Sequence, residues 1–202
     1  MRGEIVPSVH PDLDFKPEMP RRLDHGIGIV GAGGVVNYAH LPAYHQAGFK
    51  VVGITDMDPS RAERTARDHK IPKVYASLDE LLADAEVEIV DVAVYPWETL
   101  KIGEQAVRAG KHILCQKPLS DEYGKAVRLV DMAKEAKLKM AVNQQMRWTV
   151  VIRGTRQLLT QGWLGEPTYG TIQVHCLTNW SMWPWMYQRK RLEVLNHSIH
   201  PQ

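Results

Sequence analysis

The stretch GIGIVGAGGVVNYAHLPAYHQAGFKVVGITD, residues 26–56, decides the fold. An apolar run over residues 27–30 stops at Gly31-Ala32-Gly33-Gly34. An apolar segment of helical length follows over residues 35–47, and a second apolar run over residues 51–55 ends on an acid, Asp56. The order is strand, tight turn, helix, strand. In a nucleotide-binding βαβ unit the glycines let the backbone turn sharply and approach a pyrophosphate, whose charge is met by free N–H groups at the helix N-terminus. Gly31, Gly33, Gly34, Val35 and Val36 are therefore the expected phosphate-side residues, and Asp56 the expected acceptor for a ribose hydroxyl. The spacing G-x-G-x-x-G is met at its first two positions, while the third holds Val36. Asp56 lies somewhat beyond the ~20 residues usual for such an acid. An ordinary glycine turn in an α/β domain would use the same letters; the strand before, the helix after and the acid beyond favour the dinucleotide cradle.

Downstream the same alternation continues. Pro59-Ser60 opens a polar helix over residues 61–69, and Val74-Tyr75 is a short strand. A helix over residues 77–83 follows, with Ser77 and Glu80 at capping-box spacing and Leu78, Leu81 and Leu82 on its buried face. Strands are expected at 89–94, 111–115 and 139–142, with helices at 99–109 and 121–136 between them. Such an alternation implies a doubly wound parallel sheet with helices on both faces. Ligands bind beyond the carboxyl ends of such strands, which selects residues 31–36, Asp56, Val94, Tyr95, Pro96 and Trp97, residues 116–119, and Asn143, with Val94, Tyr95, Pro96, Gln116 and Asn143 among the expected cofactor contacts. Beyond Arg147 the pattern changes. A helix over 150–161 ends at Gly162, a long alternating strand is expected over 166–177, a loop over 179–191 carries Trp180, Trp183 and Trp185, and a short helical run covers 192–199. The fold class is α/β: a Rossmann parallel sheet followed by the beginning of an α+β domain with an antiparallel sheet, incomplete in this sequence. Domains are expected at 26–146 and 147–202, after an N-terminal extension over 1–25. That extension carries Pro7, Pro11, Pro17 and Pro20 and reads as a flexible or surface-hugging arm, or one that reaches across a partner subunit.

Composition bounds the function. The chain has 202 residues, 44% hydrophobic and 24% charged, with a formal net charge of +2. Acids and bases are interspersed, so no basic stripe of the kind nucleic-acid binding needs is present. No apolar run approaches the ~18 residues of a membrane span, and no apolar segment behind the N-terminal basic residues marks a secretory signal. Cys115 and Cys176 form no C-x-x-C, and a reducing cytoplasm is the default location. His40, His45, His69, His112 and His175 show no metal-ligand spacing, so no metal is expected. Cys115 reads as a small core residue.

The run AGKHILCQKPLS, residues 109–120, together with GAGGVV and AHLPAY upstream and NQQMRW and GWLGEP downstream, resembles the Gfo/Idh/MocA family of nicotinamide-dependent oxidoreductases, typified by glucose-fructose oxidoreductase and inositol dehydrogenase. The resemblance runs over residues 26–200. It implies a Rossmann domain joined to a C-terminal domain whose open antiparallel sheet builds the substrate site and usually an oligomer interface, hence a homo-oligomer in a full-length form. Gln116-Lys117-Pro118 matches a segment that is usually Glu-Lys-Pro, with the lysine beside nicotinamide and substrate and the proline often cis. By that match Lys117 is a catalytic residue as well as a cofactor contact. Its ammonium can donate to a substrate oxygen as charge develops there. The family's aspartate, followed four residues later by a histidine, falls on Asn196 and His200, so His200 is the expected proton acceptor or donor.

Asp56 favours NAD over NADP, since a carboxylate accepts from the 2′-hydroxyl and repels a 2′-phosphate. Arg61 keeps NADP as the other option. The tryptophans suit either sugar stacking or packing, with packing preferred. The resemblance implies an oxidoreductase acting on a hydroxyl or carbonyl carbon of a sugar, polyol or related small molecule. The alternative is a non-catalytic dinucleotide-binding sensor or regulator, or an inactive fragment. Asn196 in place of the acid, and a chain shorter than family members, both favour it.

Overall fold

The computed structural model describes residues 13–14 and 18–173. Two compact units divide them: residues 20–143, and residues 144–173 together with 13–14 and 18–19. The expected sites at Asn196 and His200, the tryptophans at 180, 183 and 185, His175 and Cys176 lie outside the described residues.

The first unit is a six-stranded sheet formed by β1 (Ile27–Val30), β2 (Val51–Thr55), β3 (Lys73–Val74), β4 (Ile89–Val92), β5 (His112–Cys115) and β6 (Met140–Val142), in the order β3-β2-β1-β4-β5-β6. Every pairing is parallel. Parallel neighbours need crossovers, and the helices supply them: α1 (Leu41–Ala47), α2 (Pro59–His69), α3 (Leu78–Ala83), α4 (Pro96–Arg108) and α5 (Tyr123–Glu135). The order reverses between β1 and β4, which makes the crevice beyond their carboxyl ends the topological switch point.

Buried on both faces, the central strands carry apolar residues on both alternations. Ile27 and Ile29 point into a core with Val36, Leu41, Ile54, Ala62 and Ala66. Val30, Val90 and Val92 point the other way, into a core with Leu81, Ala106, Val107, Leu129 and Ala133. Helix α3 sits close on β1 because Gly28 has no side chain: a Cβ there would stand 2.8 Å from Val87 Cγ1 and 3.0 Å from Leu81 Cδ2. Its N-cap is Ser77, whose Oγ accepts from Glu80 N at 3.1 Å, while Glu80 Oε2 accepts from Ala76 N at 2.9 Å. The capping box is thus displaced by one residue on its return side. Among the described residues no helix is long and apolar enough to cross a membrane.

Several boundaries differ from the sequence reading. β4 stops at Val92 rather than 94, and α4 begins at Pro96 rather than Thr99. Proline at N1 has its φ already set for helix and lacks an N–H that would go unbonded there. The helix expected to start at Val35 starts at Gly34 and passes through a π-helical turn, Val36–His40, closed by the Leu41 N–H donating to Val36 O. α2 starts at Pro59, and α5 starts at Tyr123 rather than Asp121.

In the second unit, a 3-10 turn, Gln145–Trp148, leads into α6 (Val150–Thr160), and Arg147 and Arg153 stand over the Trp148 ring at 5.3 and 5.5 Å. Asp14 N donates to Gln157 Oε1 at 2.9 Å. The strand expected over 166–177 is not formed in its described part: residues 166–173 join no ladder, and Tyr169 and Ile172 are 88% and 80% exposed. Alternating polarity prepares a segment for one sheet face, but a strand exists only through hydrogen bonds to a neighbour, and none pairs with it among the described residues.

Leu81 is fully buried at the α3–β1 contact. Leu81→Ala is expected to destabilise the chain by about 2–4 kcal/mol, read as a lower urea midpoint at unchanged slope.

Candidate dinucleotide site

One row of the sheet places the site. Thr55, Val30, Val92, Cys115 and Val142 lie in register across five strands. The next residue along four of these strands still donates to the ladder: Gly31 N to Thr55 O at 2.8 Å, Ala93 N to Val30 O at 2.9 Å, Gln116 N to Val92 O at 2.9 Å, and Asn143 N to Cys115 O at 2.8 Å. Gly31, Ala93, Gln116 and Asn143 therefore form one edge, with Asp56 at the end of β2 beside them. Residues far apart in sequence share this edge because parallel strands all end on the same side.

The glycine loop is fixed from within. Gly31 has φ +106°, and a Cβ there would lie 2.4 Å from Ala93 O, so only glycine fits. A Cβ at Gly33 would meet nothing within 4 Å, which leaves open space over the loop. Asn37 Nδ2 donates to Ala32 O at 3.2 Å and Gly33 O at 2.9 Å, holding the carbonyls of the loop. Ala32 N donates to Asp56 Oδ2 at 2.6 Å and Asp58 N to Asp56 Oδ1 at 2.8 Å. Asp56 thus braces the loop, and each of its oxygens keeps a further lone pair for a hydroxyl. The open loop, the first-turn amides of the helix beginning at Gly34, and the fixed carboxylate fit a dinucleotide.

The other predicted residues divide. Val36 is fully buried in the core beneath the loop. Val94 is half-buried near Gly31, Pro96 is buried at the start of α4, and Tyr95 is 40% exposed and stacked on Trp97 with ring centroids 4.7 Å apart. Arg61 is exposed on the first turn of α2, its Nε 4.0 Å from Asp58 Oδ2. Lys117 is exposed, the Lys117–Pro118 bond is cis, and the Lys117 N–H donates to Gln116 Oε1 at 2.8 Å.

Beneath this edge lies a polar cluster that the sequence reading did not identify. Asp91 on β4 is fully buried, and because its register partner is Ile29 it faces the helix α1 side of the sheet. Asp91 Oδ2 accepts from His40 Nδ1 at 2.7 Å and from the Tyr44 hydroxyl at 2.8 Å. Asp91 Oδ1 makes no hydrogen bond among the described residues. Burial, reinforced by the Asp91 charge, pushes the Tyr44 phenol far above its usual range, so Tyr44 stays a donor. His40 Nε2 meets Gln116 Nε2 at 2.9 Å and Asn143 Nδ2 at 3.1 Å. The available signal was Asp91 itself, an acid in the apolar run Ile-Val-Asp-Val, since a charge between two packed faces demands partners.

The profile of an oxidoreductase family with an NAD-binding Rossmann fold, Gfo/Idh/MocA, matches residues 25–144. The chain is 30% identical over 144 residues to the 1,5-anhydro-D-fructose reductase of Ensifer adhaerens, covering 69% of this chain and 42% of that protein. An oxidoreductase of Thermotoga maritima superposes with a TM-score of 0.67 at 27% identity, over 71% of this chain and 45% of that one. A 3-ketoreductase of Actinomadura kijaniata, solved with TDP-benzene and NADP, does so with a TM-score of 0.62 at 26% identity, over 68% and 43%. In each case the chain spans less than half of the relative.

Cys115 is fully buried in the core with Val92 on the other face of the sheet, and burial, with the Asp91 charge, pushes its thiol up to about 12. Because the thiolate is the nucleophile, a Cys176→Ser chain at pH 8 is expected to be alkylated by iodoacetamide at Cys115 at least ~100-fold more slowly folded than unfolded. Comparable rates, read by mass spectrometry, would contradict the buried placement.

Proposed function

The chain belongs to the Gfo/Idh/MocA oxidoreductase family, and from that premise we propose that it is the cofactor-binding part of an enzyme that moves hydride between nicotinamide and a hydroxyl or carbonyl carbon of a sugar or polyol. The observation that carries the reading is the shared edge: the glycine loop, Asp56, the Gln116–Lys117 turn and Asn143 lie at the carboxyl ends of the strands around the switch point. Ligand chemistry on an open parallel sheet belongs there.

Gly31, Gly33 and Gly34 would hold the pyrophosphate with the amides of Val35 and Val36, and Asp56 the adenosine ribose. Bound nicotinamide would supply the hydride acceptor or donor. Lys117, exposed at the edge, would present its ammonium to the substrate oxygen and stabilise the negative charge that grows there as an alcohol is oxidised or a carbonyl reduced. His200, by its match to the family motif, would take or return the hydroxyl proton. The sugar or polyol class rests on relatives such as the 1,5-anhydro-D-fructose reductase.

Asp56 decides the cofactor preference in this reading. Its carboxylate is held by two backbone amides and cannot swing away from a 2′-phosphate. Calorimetric titration is expected to give tighter binding of NAD⁺ than of NADP⁺, and Asp56→Ala to shrink that difference at least ~10-fold. Tighter NADP⁺ binding by the unaltered chain would reverse the assignment.

For Lys117, the expectation in a full-length form is that Lys117→Ala lowers kcat by roughly 10²–10³-fold while NAD⁺ affinity stays within about twofold. Unchanged turnover would remove Lys117 from the chemistry.

A further inference from the structure

The buried cluster has a defined proton arrangement. Asp91 Oδ2 accepts, so the His40 Nδ1 facing it at 2.7 Å carries hydrogen. On the other side of the ring, Gln116 has its orientation fixed independently of His40. Its Oε1 accepts the Lys117 main-chain N–H at 2.8 Å, and turning the amide over would set its NH₂ against that donor. The Gln116 NH₂ therefore points at His40 Nε2, 2.9 Å away, and the Asn143 NH₂ points at the same nitrogen from 3.1 Å. Two amide donors converge on one ring nitrogen, which serves them as an acceptor only while it carries no hydrogen. His40 is buried, and the ring edge of Tyr44 packs beside it with centroids 6.2 Å apart, so the imidazole has little room to turn.

We propose that Gln116 is a positioning residue which ties the main chain of Lys117 to the buried Asp91–His40 pair, and that its amide, with that of Asn143, holds His40 as the neutral Nδ1–H tautomer. The relay runs from β4 through the helix after the glycine loop to the β5 turn: Asp91, His40, Gln116, Lys117. A glutamate at position 116 could still accept the Lys117 N–H but has no hydrogen to give His40 Nε2. It would require a hydrogen on that nitrogen instead, placing an imidazolium between two carboxylates and leaving the Asn143 amide facing a donor. The identity of residue 116 thus sets both the charge of the buried ring and the hold on the turn.

This inference rests on the proposed function only in supposing that the position of Lys117 matters for turnover, and its test needs no turnover. In the two-bond ¹H–¹⁵N spectrum of the full chain at pH 8, His40 is expected to show hydrogen on Nδ1 and none on Nε2, whereas Gln116→Glu is expected to show both nitrogens protonated. A wild-type ring protonated on Nε2, or a Gln116→Glu ring identical to wild type, overturns the proposal. The wild-type spectrum suffices should that variant fail to fold. In Gln116→Met, which keeps the volume and loses the amide, exchange of the Lys117 amide hydrogen is expected to quicken roughly tenfold, and an unchanged rate overturns the link to Lys117. If Lys117→Ala retains full turnover while the His40 signature and the exchange effect stand, the proposed function falls and the positioning relay remains.

Discussion

A carboxyl group at zero exposure in the middle of a parallel sheet is the constraint around which this structure is arranged. Removing a charge from water costs several kcal/mol even after relaxation, so Asp91 is tolerable only where donors are already in place. The fold meets that demand from one helix. His40 and Tyr44 stand one turn apart on a single face, and both reach Asp91 Oδ2. Breaking either contact would leave the charge underpaired, so the crossing of this helix over β4 is specified more tightly than apolar packing alone would specify it. Satisfying Asp91 also draws His40 to the level of the sheet's carboxyl edge, where Gln116 and Asn143 take up its other nitrogen. The polar network and the ligand edge are in this sense one assembly.

The sheet was legible because its signal is redundant. Each central strand is a short apolar run bounded by turn residues, and the runs alternate with amphipathic segments of helical length, a pattern that parallel topology explains and few others do. Gly31, Asp56, Gln116 and Asn143 could be selected from strand ends alone, since parallel strands deliver their carboxyl ends to one side. The partnership of Asp91 with His40 was not legible. It depends on β1 and β4 being neighbours in register, a relation between residues far apart in the chain that periodicity does not encode. Asp56 was read for its expected ligand; the bonds it makes are to Ala32 and Asp58, by which it braces the loop.

Boundaries failed where local chemistry overrides period. The apolar character of Val94 extends the β4 pattern beyond the last ladder pair, but Pro96 starts a helix as soon as its ring allows. Residues 166–173 carry strand-like alternation without a partner strand among the described residues, and pattern without pairing is not a strand. Arg61 carries the right charge for a phosphate and stands exposed on the first turn of α2, its guanidinium beside the N-cap carboxylate of Asp58.

The π-helical turn at Val36–His40 bears on how the chain tolerates changes in length. A regular helix turns about 100° per residue, so one residue gained or lost between His40 and Tyr44 would swing one of them off Asp91. Within the wide turn the geometry is more forgiving. A chain shorter by one residue there can close the same span with ordinary i→i+4 bonds, and His40 keeps its bearing on the sheet. A one-residue deletion between the glycine loop and His40 is thereby absorbed by the pitch of the helix, while the face that serves Asp91 stays fixed.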